Sequence, residues 1–397
     1  MIEKEKLQPE LSMPFLRLGK PTRIHSTVST HSAEKKLGTK STDNLQKQLN
    51  ELYSTVPLVA TTCLGINHPA ITARNKPFDY CILDEAAQCL LLSSLGPLFY
   101  SQKFVLVGDP HQLPPLVQSQ AAKSQGMDIS LFSHLATKPE NLIPLTMQYR
   151  MNEKIQALAN FLTYEGRLEC GSDEVAKRTI KPNNRNSNKD EPRWITRLFN
   201  YDSIDNSVLF LNTDQLDNAM ETTCDLGLYN PGEGDIVHKM CKVFESLYLS
   251  ESDKSNESEN RINKSTLSIG VIAPYRAQVM HLRNKLNSIN VTIDVNTVDQ
   301  FQGQDKDVII YSCTRSTPRK VKRSENGKVE EISSNDIMCD KRRLNVALTR
   351  AKSKLIIIGN GPALQSYEPF KNLLGYLEST DDVFQIKSMD LHHLEIQ

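Results

Sequence analysis

Nowhere in the 397 residues does the pattern G-x-x-x-x-G-K-[ST] occur. Within this sequence that excludes the glycine-rich loop whose amides and lysine cradle the phosphates of a nucleotide. There is no C-x-x-C pair either: the eight cysteines stand singly at 63, 81, 89, 170, 224, 241, 313 and 339. Scattered thiols, several inside apolar runs, read as reduced, buried side chains of a cytosolic or nuclear protein rather than as disulfides or a metal centre. Neither sign of charge is in excess, since 47 Lys and Arg balance 47 Asp and Glu. Any attraction for nucleic acid must therefore come from local patches, not from a global basic field. No apolar run reaches the eighteen or so residues of a membrane span. The opening MIEKEKLQPE is not expected to be a signal peptide.

What is present is the composition of an ordinary globular protein, 39% apolar and 24% charged, long enough for two or three domains. Short runs rich in Val and Ile alternate with helical patterns, which predicts parallel sheets covered by helices on both faces. Strands are expected at 58–62, 80–83, 104–107 and 143–146, with a helix over 42–53 started by the Ser41/Thr42/Asp43 cluster. Further strands are expected at 208–211, 268–273, 308–313 and 354–358, with helices near 153–162, 235–249 and 276–286. The pattern predicts one α/β domain over 1–146, a second over 147–378 and a tail over 379–397. Residues 181–193, 250–265 and 317–336 are polar and read as surface insertions, the last containing the basic run PRKVKR.

The segment FDYCILDEAAQ, then FVLVGDPHQLPP one strand later, carries most of the chemistry. Asp84 and Glu85 follow a buried strand, which places both carboxylates at the carboxyl end of a parallel sheet, where open α/β sheets bind ligands. One acid suits magnesium held through water, and its neighbour suits polarising an attacking water. In the second loop Gly108 permits a tight turn, Asp109 adds a carboxylate near the metal, and Gln112 reaches a γ-phosphate or the water. His111 is expected to be a surface loop residue.

Two arginine motifs lie downstream. QYRMN (148–152) offers Arg150 as a charge brought to a transition state. RRLNVALTRAKSK (342–354) is expected to be one helix, with Leu344, Ala347, Leu348 and Ala351 inward and Arg343 and Arg350, seven apart, sharing another face. In VNTVDQFQGQDKDVIIYS, Gln302-Gly303 reads as a turn where backbone can approach a phosphate, and Asp305 can reach a ribose hydroxyl. Thr297, and Tyr275 with Arg276 in APYRAQV, suit a nucleic-acid strand: an aromatic beside a cation stacks a base and meets a phosphate. Thr61 and Thr62 end a strand with two hydroxyls for phosphate oxygens.

In order, TTCLGINHP, DEAAQ, GDPHQLPP, QYRMN, APYR, NTVDQFQGQDKD and RRLNVALTRAK resemble the superfamily 1 helicases, in the branch with the nonsense-mediated-decay helicase. FLRLG, ATTCLGINHP, LGPLF and LTYEGRLECGSDEVA bring the resemblance closest to the helicase half of the eukaryotic nuclease-helicases that act in DNA replication; it covers roughly 15–377. It implies two RecA-like P-loop NTPase domains with parallel sheets, the first incomplete, moving 5′ to 3′ along single-stranded DNA and acting on flap or forked DNA. It also implies ATP and Mg2+ as cofactors, a single-strand DNA-binding protein as partner, no membrane association and a nuclear location, with the mitochondrion as a further one.

Residue by residue, it implies that Asp84 binds magnesium and Glu85 is the general base. Gln112, Arg150 and Arg350 would sense the γ-phosphate, Asp109, Gly303, Asp305 and Arg343 would lie near the nucleotide, and Thr61, Thr62, Tyr275, Arg276 and Thr297 would line the DNA. The family's phosphate loop, and the nuclease with its cluster-binding cysteines, would precede Phe15, so no iron–sulfur cluster is expected in this chain. GQDKD also stands where the family usually has GRDK or GREKD, which puts Gln304 in place of a cation. Without the loop, ATP hydrolysis by this chain alone is expected to be slower by orders of magnitude. Two further readings stay open: a single-stranded nucleic-acid-binding or regulatory module, and an RNA helicase of the decay branch.

Overall fold

The computed structural model describes residues 14–19, 25–32, 45–72, 74, 76–180, 192–199, 203–248, 267–289, 291–319, 322–323, 329–330 and 336–394. They fall into two compact units, Met1–Leu142 and Ile143–Gln397, against an expected boundary between 146 and 147. No helix among the described residues is long and apolar enough to cross a membrane.

In the first unit, β1 (Phe15–Arg17) runs parallel to β2 (Leu58–Ala60), joined through α1 (Leu45–Thr55). Leu16, Leu18, Tyr53, Val56, Ala70 and Ile71 form their shared core. The expected strand 58–62 stops at Ala60, because Thr62 starts a one-turn helix over Cys63–Asn67. The cluster expected to start α1, Ser41 to Asp43, lies outside the described residues. Next, β3 (Phe78–Leu83) and β4 (Ser101–Leu106) pair in parallel around α2 (Leu91–Leu98). With only two strands in this ladder, Tyr80 and Ile82 keep 57% and 70% of their surface. At the start of the second unit, the strand expected at 143–146 does not form: pairing begins at β5 (Met147–Gln148), which meets β6 (Glu169–Cys170). Pro144 has no amide hydrogen for a ladder, and Ile143 and Leu145 stay 85% and 83% exposed.

The second unit is built on one parallel sheet. Its strands are β7 (Val208–Asn212), β10 (Ile269–Ala273), β11 (Ile293–Thr297), β12 (Lys306–Ser312), β15 (Ala351–Gly359) and β16 (Val383–Gln385), in the order β11-β10-β12-β15-β7-β16. Two small hairpins lie outside it, β8 (Thr222–Cys224) with β9 (Gly227–Tyr229) and β13 (Lys322–Arg323) with β14 (Val329–Glu330). The residues expected as a tail, 379–397, supply the sixth strand, whose Phe384 pairs with Leu211. IGVIA and LIII read as unbroken apolar runs because both faces of these central strands are buried. One face packs on α5 (Pro231–Tyr248) and α6 (Arg276–Leu286), after α3 (Glu153–Ala159) and α4 (Arg193–Phe199) have been laid down. Gly270 is required on the other face: a Cβ there would come within 2.7 Å of Ile309 and of Phe301, which ends α7 (Val298–Phe301).

The helix expected over 342–354 is a correction. α8 spans only Lys341–Leu348, and Ala351 already opens β15. AKSKLIIIG is dominated by a β-branched run whose burial in the sheet outweighs continuing the helix, so Arg343 and Arg350 do not share a helix face. The insertion expected over 181–193 ends earlier too: Arg193 begins α4, whose Trp194, Ile195 and Leu198 are buried; 181–191 and 250–265 lie outside the described residues. α9 (Glu368–Ser379) completes the unit. The cysteines are all free thiols, but only Cys241 and Cys313 are fully buried, and Cys224 is exposed on its hairpin. The others are half-buried, with Cys63 and Cys89 Sγ atoms 3.5 Å apart.

Candidate nucleotide and nucleic-acid sites

In the first unit, the strands deliver acids to one sheet end. Leu83 pairs with Leu106, so Asp84 and Val107 emerge side by side. Val107 donates to Leu83 O and Ala86 donates to Val107 O, which laces the two loops together. Gly108 is needed for that lacing, since a Cβ there would lie 2.9 Å from the Ala87 amide nitrogen. Glu85 adopts a left-handed backbone, φ 53° and ψ 36°. For a residue with a Cβ this costs about 1–2 kcal/mol and marks a site where local comfort yields to placement.

Asp84 and Glu85 are exposed. Asp84 Oδ1 accepts the Glu85 amide at 2.9 Å, and Glu85 Oε2 accepts Gln88 Nε2 at 2.5 Å. Asp109 accepts the His111 amide at 2.8 Å and Gln112 Nε2 at 3.1 Å, so the Gln112 amide is turned onto its own loop. Among the described residues, no three His, Cys, Asp or Glu converge as a metal cage. Thr61 is half-buried and Thr62 exposed. Gly65 lies against the Thr61 hydroxyl, where a Cβ would collide with Oγ1; the sequence signal for this was the glycine of TTCLG.

In the second unit, the parallel sheet separates the expected residues between its two edges. Ala273 pairs with Thr297, so Tyr275, Arg276 and Thr297 gather at the carboxyl edge. Lys306 pairs with Ala351, which puts Asp305 and Arg350 at the amino edge. β12 is seven residues long, so the edges are about 20 Å apart. The chain crosses between them from Thr297 to Lys306 through α7 and a turn in which Gln304 N donates to Phe301 O. Gly303 sits in that turn at φ +78°, a left-handed backbone that glycine adopts without strain, with open space around a Cβ.

At the amino edge, Asp305 is an ion-pair hub. Its Oδ2 meets Arg150 Nε at 3.4 Å and its Oδ1 meets Lys352 Nζ at 2.7 Å. Burial would raise this carboxyl, but the Lys352 hydrogen bond and the charges of Lys352 and Arg150 outweigh it and hold it below the usual range. Arg150 Nη1 also donates to Thr349 O at 3.3 Å. The Arg150 turn is templated by Gln148, whose Oε1 accepts the amides of Arg150 and Met151 at 2.9 and 2.7 Å. Arg350 is 1% exposed and donates to Val346 O and Thr349 Oγ1 at 3.0 Å each, so its guanidinium faces inward. Arg343 is committed to Asp299 at 2.9 and 3.2 Å and to Asp340 at 2.6 Å, tying α8 to α7.

At the carboxyl edge, Arg276 is exposed and Thr297 half-buried. Tyr275 is half-buried, and its hydroxyl donates to Asp336 at 3.1 Å. Sequence reading passed over Lys352, Asp336 and Tyr149, the last 63% exposed between Gln148 and Arg150. An aromatic preceding the motif arginine was the available signal for Tyr149. Asp336 had none, because its partners lie far away in the chain.

A family model described as an AAA domain matches residues 127–362, and another matches residues 20–120. The chain belongs to the AAA-domain family, in keeping with parallel α/β sheets in both units. Its relatives are more particular. It is 40% identical over 391 residues to the DNA replication ATP-dependent helicase/nuclease DNA2 of Xenopus laevis, which is 96% of this chain and 34% of that protein. It is 39% identical over 386 residues to the Homo sapiens protein of the same name (95% and 33%), and 33% identical over 382 residues to that of Saccharomyces cerevisiae (94% and 23%). The chain thus spans about a third or less of these relatives. Among solved structures, the PRRSV helicase is 12% identical, covering 96% of this chain and 60% of that one, with a TM-score of 0.36, too loose a likeness to carry weight.

Proposed function

We propose that this chain is the helicase part of an ATP-dependent nuclease-helicase that moves 5′ to 3′ on single-stranded DNA during DNA replication and repair. What supports the reading most is the division of polar side chains between the edges of one parallel sheet. Arg150, Asp305 and Lys352 lie at the amino edge, and Tyr275, Arg276 and Thr297 at the other. A motor needs such a separation, so that a nucleotide and a nucleic acid bind one domain at different places and influence each other through it. The names of the relatives supply the DNA specificity, the replication setting and, with it, a nuclear location. Flap or forked DNA as substrate and a single-strand DNA-binding protein as partner follow from the same reading, with the units Met1–Leu142 and Ile143–Gln397 as two RecA-like domains.

The donor set fits a hard divalent cation such as Mg2+: exposed carboxylate oxygens at a strand end, with room for water. It fits a triphosphate less well, because the sequence holds no phosphate loop. When bound, ATP supplies the free energy that drives movement. Asp84 would hold the cation through water, and Glu85 would take the proton of the attacking water. Gln112 would orient that water once released from Asp109. Arg150 would leave Asp305 to meet negative charge, and Arg350 would follow only by leaving the Val346 carbonyl. Tyr149 offers an exposed ring for a base. Asp109, Gly303 and Arg343 act, on this reading, as supports around the nucleotide.

A second reading is a nucleic-acid-binding or regulatory module, which needs only the side chains gathered at the carboxyl edge of the sheet. Binding of single-stranded DNA and of RNA of the same sequence, across a salt series, tests both. The proposal expects DNA to bind more tightly and Arg276→Ala to flatten the salt slope by about 0.7, one phosphate contact. Tighter binding of RNA would overturn the DNA assignment in favour of an RNA helicase of the decay branch.

A further inference from the structure

Tyr275 is held by residues remote in the chain. Asp336 Oδ1 accepts Tyr275 Oη at 3.1 Å and the Met338 amide at 3.0 Å. Asp336 Oδ2 accepts Arg315 Nη2 at 2.9 Å and Tyr367 Oη at 3.2 Å. Arg315 donates in addition to Tyr367 Oη at 2.9 Å and to Glu221 Oε1 at 3.1 Å. Glu221 is pinned in turn: its Oε2 accepts the Ser316 amide at 2.8 Å, and its own amide donates to Ser316 Oγ at 2.7 Å. Four donors thus converge on the Asp336 carboxylate. Although burial opposes the charge, the Met338 amide and Arg315 hold Asp336 below the usual carboxylate range. Burial and the nearby Asp336 charge keep the Tyr275 phenol protonated. The bond between them is therefore charge-assisted, stronger than one between neutral groups.

From this geometry we infer that Asp336 is a positioning residue for single-stranded nucleic acid, fixing the Tyr275 ring beside the exposed Arg276 at the carboxyl edge of the sheet. The inference rests on the reading that Tyr275 and Arg276 contact the strand. With its hydroxyl turned to Asp336, Tyr275 cannot offer that group to a phosphate, and what remains for a ligand is the uncovered part of the ring. A ring already immobilised loses little rotamer freedom when a base stacks on it, and so binds more tightly than a free one. Asp336 makes this arrangement without touching the strand.

The test uses the whole chain and a single-stranded oligonucleotide carrying 2-aminopurine, read by affinity and by quenching of that base. Tyr275→Ala is expected to weaken binding about tenfold and to abolish the quenching. Tyr275→Phe, which keeps the ring, and Asp336→Asn, which keeps the shape, are each expected to weaken binding about threefold with partial loss of quenching. Combined with Tyr275→Ala, Asp336→Asn is expected to add nothing, because its effect passes through the ring. If Asp336→Asn weakens binding equally with and without the ring, or leaves affinity and quenching unchanged while Tyr275→Ala weakens both, the positioning role is overturned. If Tyr275→Ala itself leaves binding and quenching intact, the underlying site reading falls with it.

Discussion

Asp305 and Arg150, 155 residues apart in sequence, meet through Oδ2 and Nε at 3.4 Å, and Lys352 holds the other oxygen of the same carboxylate. The Asp305–Arg150 pair keeps the guanidinium at the amino edge of the sheet without sealing it off, since both side chains are about one-third exposed. Water screens such a pair, so Asp305→Asn is expected to cost less than about 1 kcal/mol and to lower the melting temperature by only a few degrees. The sign with pH is fixed by the depressed carboxyl. Its contribution is present above the unfolded aspartate range and is lost as pH falls through the lower folded value. Thermal melts of both proteins from neutral to acid pH check this: the difference between them should vanish at the acid end.

Asn152 holds the start of the second unit together. It is fully buried, and its Nδ2 contacts Arg178 O, Ser207 Oγ and Ser353 O at 2.8–3.0 Å, while its Oδ1 caps the first turn of α3 through the Ile155 amide. Asn152→Ala strands several buried partners at once, and is expected to cost about 2–4 kcal/mol. Urea unfolding, with the slope unchanged and the midpoint lowered, measures it.

Glu233 is wholly enclosed at the start of α5, accepting Ser312 Oγ at 2.6 Å and the Thr314 amide at 2.9 Å. Burial raises its carboxyl to about 8, against the pull of those two donors. A carboxyl raised in the folded state stabilises it most below the unfolded glutamate value, and that contribution fades as pH climbs to the folded value. The stability of the second unit should therefore fall between about pH 5 and about pH 8, by an amount on the order of a few kcal/mol at most. Glu233→Gln should flatten the curve, as read by denaturant midpoints across that range.

Four of the six strands in the sheet of the second unit were legible because buried parallel strands are unbroken apolar runs, as in VII and LIII, whereas the two outer ones, β11 (IDVNT) and β16 (VFQ), are short or carry polar residues and were not expected. It misplaced the end of α8 because Leu344, Ala347, Leu348 and Ala351 continue a helical spacing into residues that the sheet claims. The acids at 84 and 85 were legible from their place after an apolar strand. The partners of Arg150 and Tyr275 were not: Asp305 and Asp336 lie 155 and 61 residues away, and only the parallel sheet brings them near. The Gln302-Gly303 turn was legible as well, from a glycine that takes a left-handed φ of +78°.

The most direct test of the account is the rate of ATP hydrolysis by the purified chain, with and without single-stranded DNA. The carboxylates and arginines are present but the sequence has no phosphate loop, so turnover should lie orders of magnitude below the roughly 10 per second of a typical enzyme. A DNA-stimulated turnover comparable with that of intact helicases, and abolished by Glu85→Gln, would contradict it.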